Sequence, residues 1–271
     1  MFVCGGNDPN HMRPRFLEYC NTYHPEFETF LPEFAMKHYF SNIVSAQFDI
    51  TDFETLIGDL SHAIVLFPEA AGSFAEAGYF SATPKLAAKT VLALDAYWQG
   101  SDSFISMGPA KKINEASRFF GIIQTPYAAP VFSDIVQRLK RIDLSKNRKT
   151  LTLGAFKNLT TYEKMCLIHK IINILTIATY DDLIYILRSL FANRFSTEIT
   201  KQLMAILAGS KYILQVNDYG HYRTNNIKAP LLITRIGFSG EESLISLELG
   251  ELYSRSDQEF LDIIEELDDA A

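Results

Sequence analysis

The stretch "IVLFPEAAGSFAEAGYFS", Ile64 to Ser81, decides the fold. Its lead-in, "HAIVLFPE", is a continuous apolar run stopped by Pro68, the pattern of a strand buried on both faces of a parallel sheet. Its tail, "SFAEAGYFSAT", has helical spacing, and Gly72 and Ser73 stand where that helix begins. Strand, small-residue turn and helix therefore follow one another directly. Two carboxylates, Glu69 and Glu76, flank the turn.

The same alternation extends on both sides. "MFVCGG" reads as a short buried strand entering a Gly-Gly turn, "NIVSAQF" as a second strand, and "TVLALDAYW" and "GIIQTPY" as two more. Helical spacing appears in "RPRFLEYCNTY", "LPEFAMKHYF", "DFETLIGDLS", "GPAKKINEASRFF" and "FSDIVQRLKRI". Alternating strands and helices over residues 1–142 predict an α/β, Rossmann-like domain, a parallel sheet flanked by helices. In such folds ligands gather at the C-terminal ends of the strands. Gly5, Gly6 and Asn7, the Pro68–Ser73 turn, and Asp95 to Ser106 all fall there.

The basic stretch "DLSKNRKT", 143–150, reads as a linker, and a second domain over 151–271 has a different pattern. Three helices, "NLTTYEKMCLIHKIINILTIA", "YDDLIYILRSLF" and "STEITKQLMAILAG", precede a hairpin, "KYILQVNDYGHYRTNN". That is the order of a winged helix, and also of a generic helical cap. On the first reading Lys201, Lys211, His221, Tyr222 and Arg223 lie on the third helix or the wing. The chain closes with an acidic amphipathic helix in "SLISLELGELYSRSDQEFLDIIEELDDAA".

At 48% hydrophobic and 21% charged, the 271-residue composition is that of a globular protein. No apolar run approaches the roughly 20 residues needed to span a membrane, and the N-terminus lacks a signal-peptide pattern. Cys4, Cys20 and Cys166 are scattered, as are the six His, so no metal-ligand spacing arises and reduced, cytoplasmic thiols are expected. The net charge of −7 hides a segregation. Residues 137–235 hold 16 Lys/Arg against 6 Asp/Glu, and residues 236–271 hold 1 against 11. The basic middle fits either solvated helix faces or contact with nucleic acid.

Glu76 lies four residues after Gly72 and two before Gly78, on the first turn of the expected helix. An acid there can simply complement the helix dipole, worth about 0.3–1 kcal/mol. Alternatively it faces a ligand whose phosphate rests on the bare N–H groups of Gly72 and Ser73. N-glycosidic cleavage needs such a carboxylate, because positive charge develops at the sugar C1. Glu69 is a second contact or a plain turn residue. Asp95 is placed to bind a hydroxyl, Trp98 to stack on a base, and Ser106, Gly108 and Pro109 to open a second anion-binding helix near Ala110.

The combination of "FVCGG", "DFETLIGDLSHAIVLFPE" and "GSFAEAGYF" resembles the nucleoside deoxyribosyltransferase family. Gly72, Glu76 and Gly78 match its G-x-x-x-E-x-G motif, in which the Glu is the nucleophile; Asp59 matches an acid of the family helix. Over its whole length the chain resembles effectors of retron anti-phage systems, through "PEAAGSFAEAG" and "SFISMGP". That resemblance implies a toxin-like N-glycosidase cleaving NAD or a related nucleotide as substrate, with no cofactor. It also implies partners: a reverse transcriptase and its branched RNA–DNA product (msDNA), in a homo-oligomer or larger assembly. The family's base-contacting Asp, six residues before the nucleophile, is replaced by Ala70, which points to hydrolysis of a larger nucleotide. The rivals are a housekeeping nucleoside hydrolase or transferase and a nucleotide-sensing DNA-binding regulator.

Overall fold

The computed structural model describes residues 1–30, 50–99, 102–142, 150–152, 154–192, 194–217, 219–235, 237–256 and 261–263. The expected strand "NIVSAQF", the helix "LPEFAMKHYF" and linker residues 143–149 lie outside them. The described residues through Thr150 form one compact unit and those from Leu151 another.

The first unit carries four parallel strands, β1 (Phe2–Cys4), β2 (Ile64–Leu66), β3 (Thr90–Asp95) and β4 (Ile122–Thr125), side by side in chain order. The helices are α1 (Met12–Tyr23), α2 (Ile50–Leu60), α3 (Ala71–Ala82), α4 (Pro84–Ala87), α5 (Lys111–Ala116) and α6 (Phe132–Lys140). Phe2 pairs with Ile64, Val65 with Val91 and Leu92 with Ile122. Every residue of β1, β2 and β3 is buried, which is why those runs are apolar without alternation. On one face Val3, Val65, Val91, Ala93 and Ile123 pack on Met12, Phe16 and Cys20 of α1 and Phe132, Ile135, Val136 and Leu139 of α6. From the other face Phe2 meets Phe80 of α3 edge-on, ring centroids 6.2 Å apart. Each large apolar side chain buried this way contributes about 1.5–3 kcal/mol.

Two local expectations are corrected. Because α3 begins at Ala71, Glu76 sits on its second turn, not its first. The segment Ser106–Ala110 is a π-helical turn with Pro109 inside it, entered from helical residues 104–105. Helix α5 therefore continues out of this turn at Lys111 and offers no bare N-terminus. Proline cannot donate a helical hydrogen bond, and the wider turn accommodates the loss.

The second unit runs α7 (Thr161–Leu175), β5 (Ile177–Ala178), α8 (Tyr180–Phe191), α9 (Thr197–Gly209), β6 (Ile213–Gln215), β7 (Tyr222–Thr224) and α10 (Ser239–Ser256). Side-chain caps start three of its helices. Thr160 and Glu163 form a reciprocal box at α7, Thr179 and Asp182 repeat it at α8, and Ser196 caps α9. The expected helix through "ILTIA" stops at Leu175. Thr176 adopts a positive φ of 68°, and Ile177–Ala178 form a strand. The β-branched residues weaken the helix there, and pairing with Tyr222 and Arg223 satisfies the backbone instead. The sheet is antiparallel with order β5-β7-β6. The acidic α10 packs on α7, where Lys170 Nζ donates to Thr234 Oγ1 at 2.7 Å and also to the Glu242 carboxylate.

Candidate active site

In the first unit the strand-end loops meet around Glu69. Its Oε1 accepts the Gly6 and Arg13 N–H groups at 3.0 and 3.1 Å, and its Oε2 accepts the Met12 N–H at 2.6 Å. Glu69 thus caps α1 from the end of β2, supplying a negative charge to a helix N-terminus. Both carboxylate oxygens are thus engaged by backbone donors.

Ser73 is likewise engaged. Its buried hydroxyl accepts the Glu69 and Ala70 N–H groups at 3.0 Å each and donates to the Ala70 carbonyl at 2.8 Å. The hydroxyl clamps the turn. Gly5 and Gly6 are crowded rather than open. A Cβ on Gly5 would stand 2.8 Å from both Arg13 Cβ and Glu69 Oε1, and one on Gly6 would stand 1.9 Å from the His11 ring. Their small size lets α1 close over the end of β1. Gly72 differs: it is exposed, and nothing lies within 4 Å of where its Cβ would be. Asn7 is exposed on the same loop.

Asp95 is buried. Its Oδ1 accepts the Tyr97 N–H at 3.1 Å, and its own N–H donates to Gln99 Oε1 at 2.8 Å. Gln99 Nε2 donates to the Pro68 carbonyl at 2.6 Å, so this side chain laces the ends of β2 and β3 together. Ser106 donates to the Gln99 carbonyl at 3.2 Å and accepts from Ser103 at 2.9 Å, which makes it part of the lacing. Trp98 is 86% exposed. Tyr97, Phe104, Met107 and Phe74 are exposed as well, on the strand-end segments and on α3, which packs against the π-helical turn. Asp59 lies near the C-terminus of α2, at the opposite edge of the sheet, where its carbonyl accepts Lys89 Nζ at 2.7 Å.

Glu76 is half-buried, with its Oε2 shut off from solvent. It meets the Cys4 thiol at the end of β1, an N-terminal residue that sequence reasoning missed. Burial pushes that thiol well above its ordinary pKa. The charges of Glu76 and then Glu54 push the same way, Arg13 opposes them, and a hydrogen bond to Glu76 adds to the rise. Cys4 is therefore a neutral S–H donor to the Glu76 carboxylate. Cys4 thus meets Glu76 directly, and the charges of Arg13 and Glu54 also act on that thiol. None carries a local motif; the one available signal was the position of Cys4 as the last residue before Gly5. Glu76 can act as a nucleophile or stabilise a developing cation. No group of His, Cys, Asp or Glu among the described residues has the geometry to hold a metal ion.

In the second unit only Lys211 is fully exposed among the expected contacts. The Lys201 ammonium lies over the Tyr180 ring, 5.4 Å from its centroid. The Asn217 side chain orders the turn, its Oδ1 accepting the His221 N–H at 3.2 Å, and Arg223 sits in the central strand β7. Helix α9 buries Leu203 to Leu207, so its outer surface is narrow.

The chain is similar to proteins of known retrons. The chain is 30% identical over 119 residues to the "Retron Ec86 putative ribosyltransferase/DNA-binding protein" of Escherichia coli, covering 42% of this chain and 37% of the relative. It is 27% identical over 125 residues to the "Retron Ec73 putative ribosyltransferase/DNA-binding protein" of the same organism, covering 45% and 40%. The alignments thus span about two fifths of each relative's length. A family model described as STM3845 retron effector protein matches residues 9–215, well over half of the sequence, and the chain belongs to that retron effector family.

Proposed function

We propose that the first unit is an N-glycosidase that cleaves the bond between ribose and base in NAD or a related nucleotide, with Glu76 as the nucleophile. The observation that carries this reading is a half-buried carboxylate on α3, hydrogen-bonded by a neutral thiol at the C-terminal edge of a parallel sheet. Nucleotides bind at that edge in folds of this kind. The G-x-x-x-E-x-G spacing of Gly72, Glu76 and Gly78 and the ribosyltransferase names of the relatives support it. The exposed Trp98 and Phe104 offer faces for a base.

The reaction serves a retron defence effector. A reverse transcriptase and its branched RNA–DNA product hold the effector inactive, and the second unit makes that contact as a winged helix. The α7–β5–α8–α9–β6–β7 order with an antiparallel β5-β7-β6 sheet supports the winged-helix reading. The basic balance of residues 137–235 and the DNA-binding part of the relatives' names support the nucleic-acid contact.

The test is release of nicotinamide from NAD by the full chain in its active form. Glu76→Gln should lower that rate by roughly a hundredfold or more. Equal rates for variant and wild type would remove Glu76 from the chemistry.

A further inference from the structure

A glycosidase built on one carboxylate has an incomplete cycle. Once Glu76 holds the sugar, a second group must take a proton from the water that releases it. The fold brings Glu54 to this edge of the sheet. In a parallel α/β unit a helix runs antiparallel to the strand it precedes, so the start of α2 lies at the same sheet edge as the start of α3. Phe53 and Ile57 anchor the inner side of α2 in the core. Gly58, one turn beyond Glu54 on the same stripe, lets α2 settle against Leu86 and Ile64; a Cβ there would stand 2.5 Å from Leu86 Cδ2.

The register between the two helices is fixed by a specific bond. Thr55 Oγ1 and Tyr79 Oη share a hydrogen bond of 2.6 Å. Tyr79 follows Glu76 by three residues on α3, so the two share a face of that helix. Glu54 immediately precedes Thr55. Both acids bear on one buried group, the Cys4 thiol, which Glu76 contacts directly and whose ionisation the charge of Glu54 opposes.

We infer that Glu54 is the second catalytic carboxylate of this site, the group that activates water against the glycosyl–Glu76 intermediate. The inference rests on the glycosidase reading above and deepens it. In the first step Glu76 Oε attacks C1 of the ribose, and the C1–N bond breaks with its electron pair leaving on the base. In the second step Glu54 takes a proton from water while the oxygen attacks C1, and the C1–Oε bond breaks to restore the Glu76 carboxylate. The proton on Glu54 then passes to solvent. For NAD the sum is NAD plus water giving nicotinamide, ADP-ribose and a proton, with no oxidant or reductant required. Cys4 donates throughout to Glu76 and is a positioning residue.

The experiment uses the full chain with NAD and follows three readouts: nicotinamide release, the intact mass of the protein, and rescue by azide. Glu54→Gln is expected to give one rapid turnover, to accumulate a protein heavier by one ADP-ribosyl group, and to regain multiple turnover with azide, which needs no base. Glu76→Gln should show no adduct and no rescue. Thermal unfolding of both variants separates loss of chemistry from loss of fold. Steady-state turnover by Glu54→Gln at the wild-type rate would overturn the role of Glu54 while leaving the glycosidase reading intact. So would a folded Glu54→Gln that forms neither adduct nor azide product while wild type turns over. If Glu54→Gln fails to fold, Glu54→Asp must retain the fold and lower the release step selectively, or the assignment falls. No nicotinamide release by wild type in any active preparation would overturn the reading on which the inference rests.

Discussion

The Glu69 carboxylate accepts the Met12 N–H at 2.6 Å, joining residues 57 positions apart in the chain. An acid on the loop after β2 thereby caps the helix that follows β1. The link fixes the loop carrying Gly5, Gly6 and Asn7 against the turn that leads to Glu76.

This relationship predicts a stability effect that is separable from catalysis. Glu69→Ala removes the acceptor from three backbone donors, and leaving part-buried donors unmade costs about 1–3 kcal/mol. For a chain of this size the melting temperature should fall by roughly 2–4 °C per kcal/mol. Thermal unfolding followed by circular dichroism checks it. A melting temperature within one degree of wild type would show that other groups satisfy α1.

The glycines of the two strand-end turns should respond in opposite directions. Gly6→Ala forces a Cβ into the His11 ring, at 1.9 Å unless the ring moves, and should destabilise the first loop by about 1–3 kcal/mol. Gly72→Ala meets no neighbour and replaces glycine near the start of a helix, so it should stabilise by several tenths of a kcal/mol. If a nucleotide approaches the backbone there, the same change raises KM for NAD with little effect on kcat. Parallel losses of stability in both variants would contradict this contrast.

His62 predicts a pH window. It precedes β2, and Arg118 Nη2 lies 3.1 Å from its Nδ1. Burial, with the Arg118 charge second, lowers its pKa from 6.5 to about 4. The folded state thus binds the proton less readily than the unfolded state. The stability contribution is complete above pH 6.5 and is lost as pH falls from 6.5 towards 4. Glu26, brought from 4.5 to about 2 by hydrogen bonds beginning with Lys140, loses its contribution at lower pH, so the fall above pH 5 belongs to His62. Urea unfolding midpoints between pH 7 and 4 should fall for wild type and flatten for His62→Gln. An equal fall in both would assign the loss to other groups.

How far each feature was legible depended on how local its cause is. The buried runs of β1, β2 and β3, the small-residue turn and the spacing of Glu76 follow from apolar periodicity and from residues a few positions apart. The caps at Thr160 and Thr179 are equally local, each closed by an acid three residues on. The two-residue strand β5 was not legible, because Ile177 and Ala178 are a strand only through β7, more than forty residues later.

The same distinction governs the site. Sequence alone determined that an α/β unit would carry Glu76 beside a glycine turn at the C-terminal edge of its strands. It also determined that a basic helical unit with a hairpin would follow. Tertiary structure decided what the neighbouring polar groups do, because hydrogen bonding depends on proximity in space. It spends Glu69 on capping α1, Ser73 on clamping a turn, and Gln99 on lacing two strand ends. It also brings Cys4 to Glu76, and sets the charges of Arg13 and Glu54 to act on that thiol, from segments that the crossover connections of a parallel sheet keep far apart in the chain.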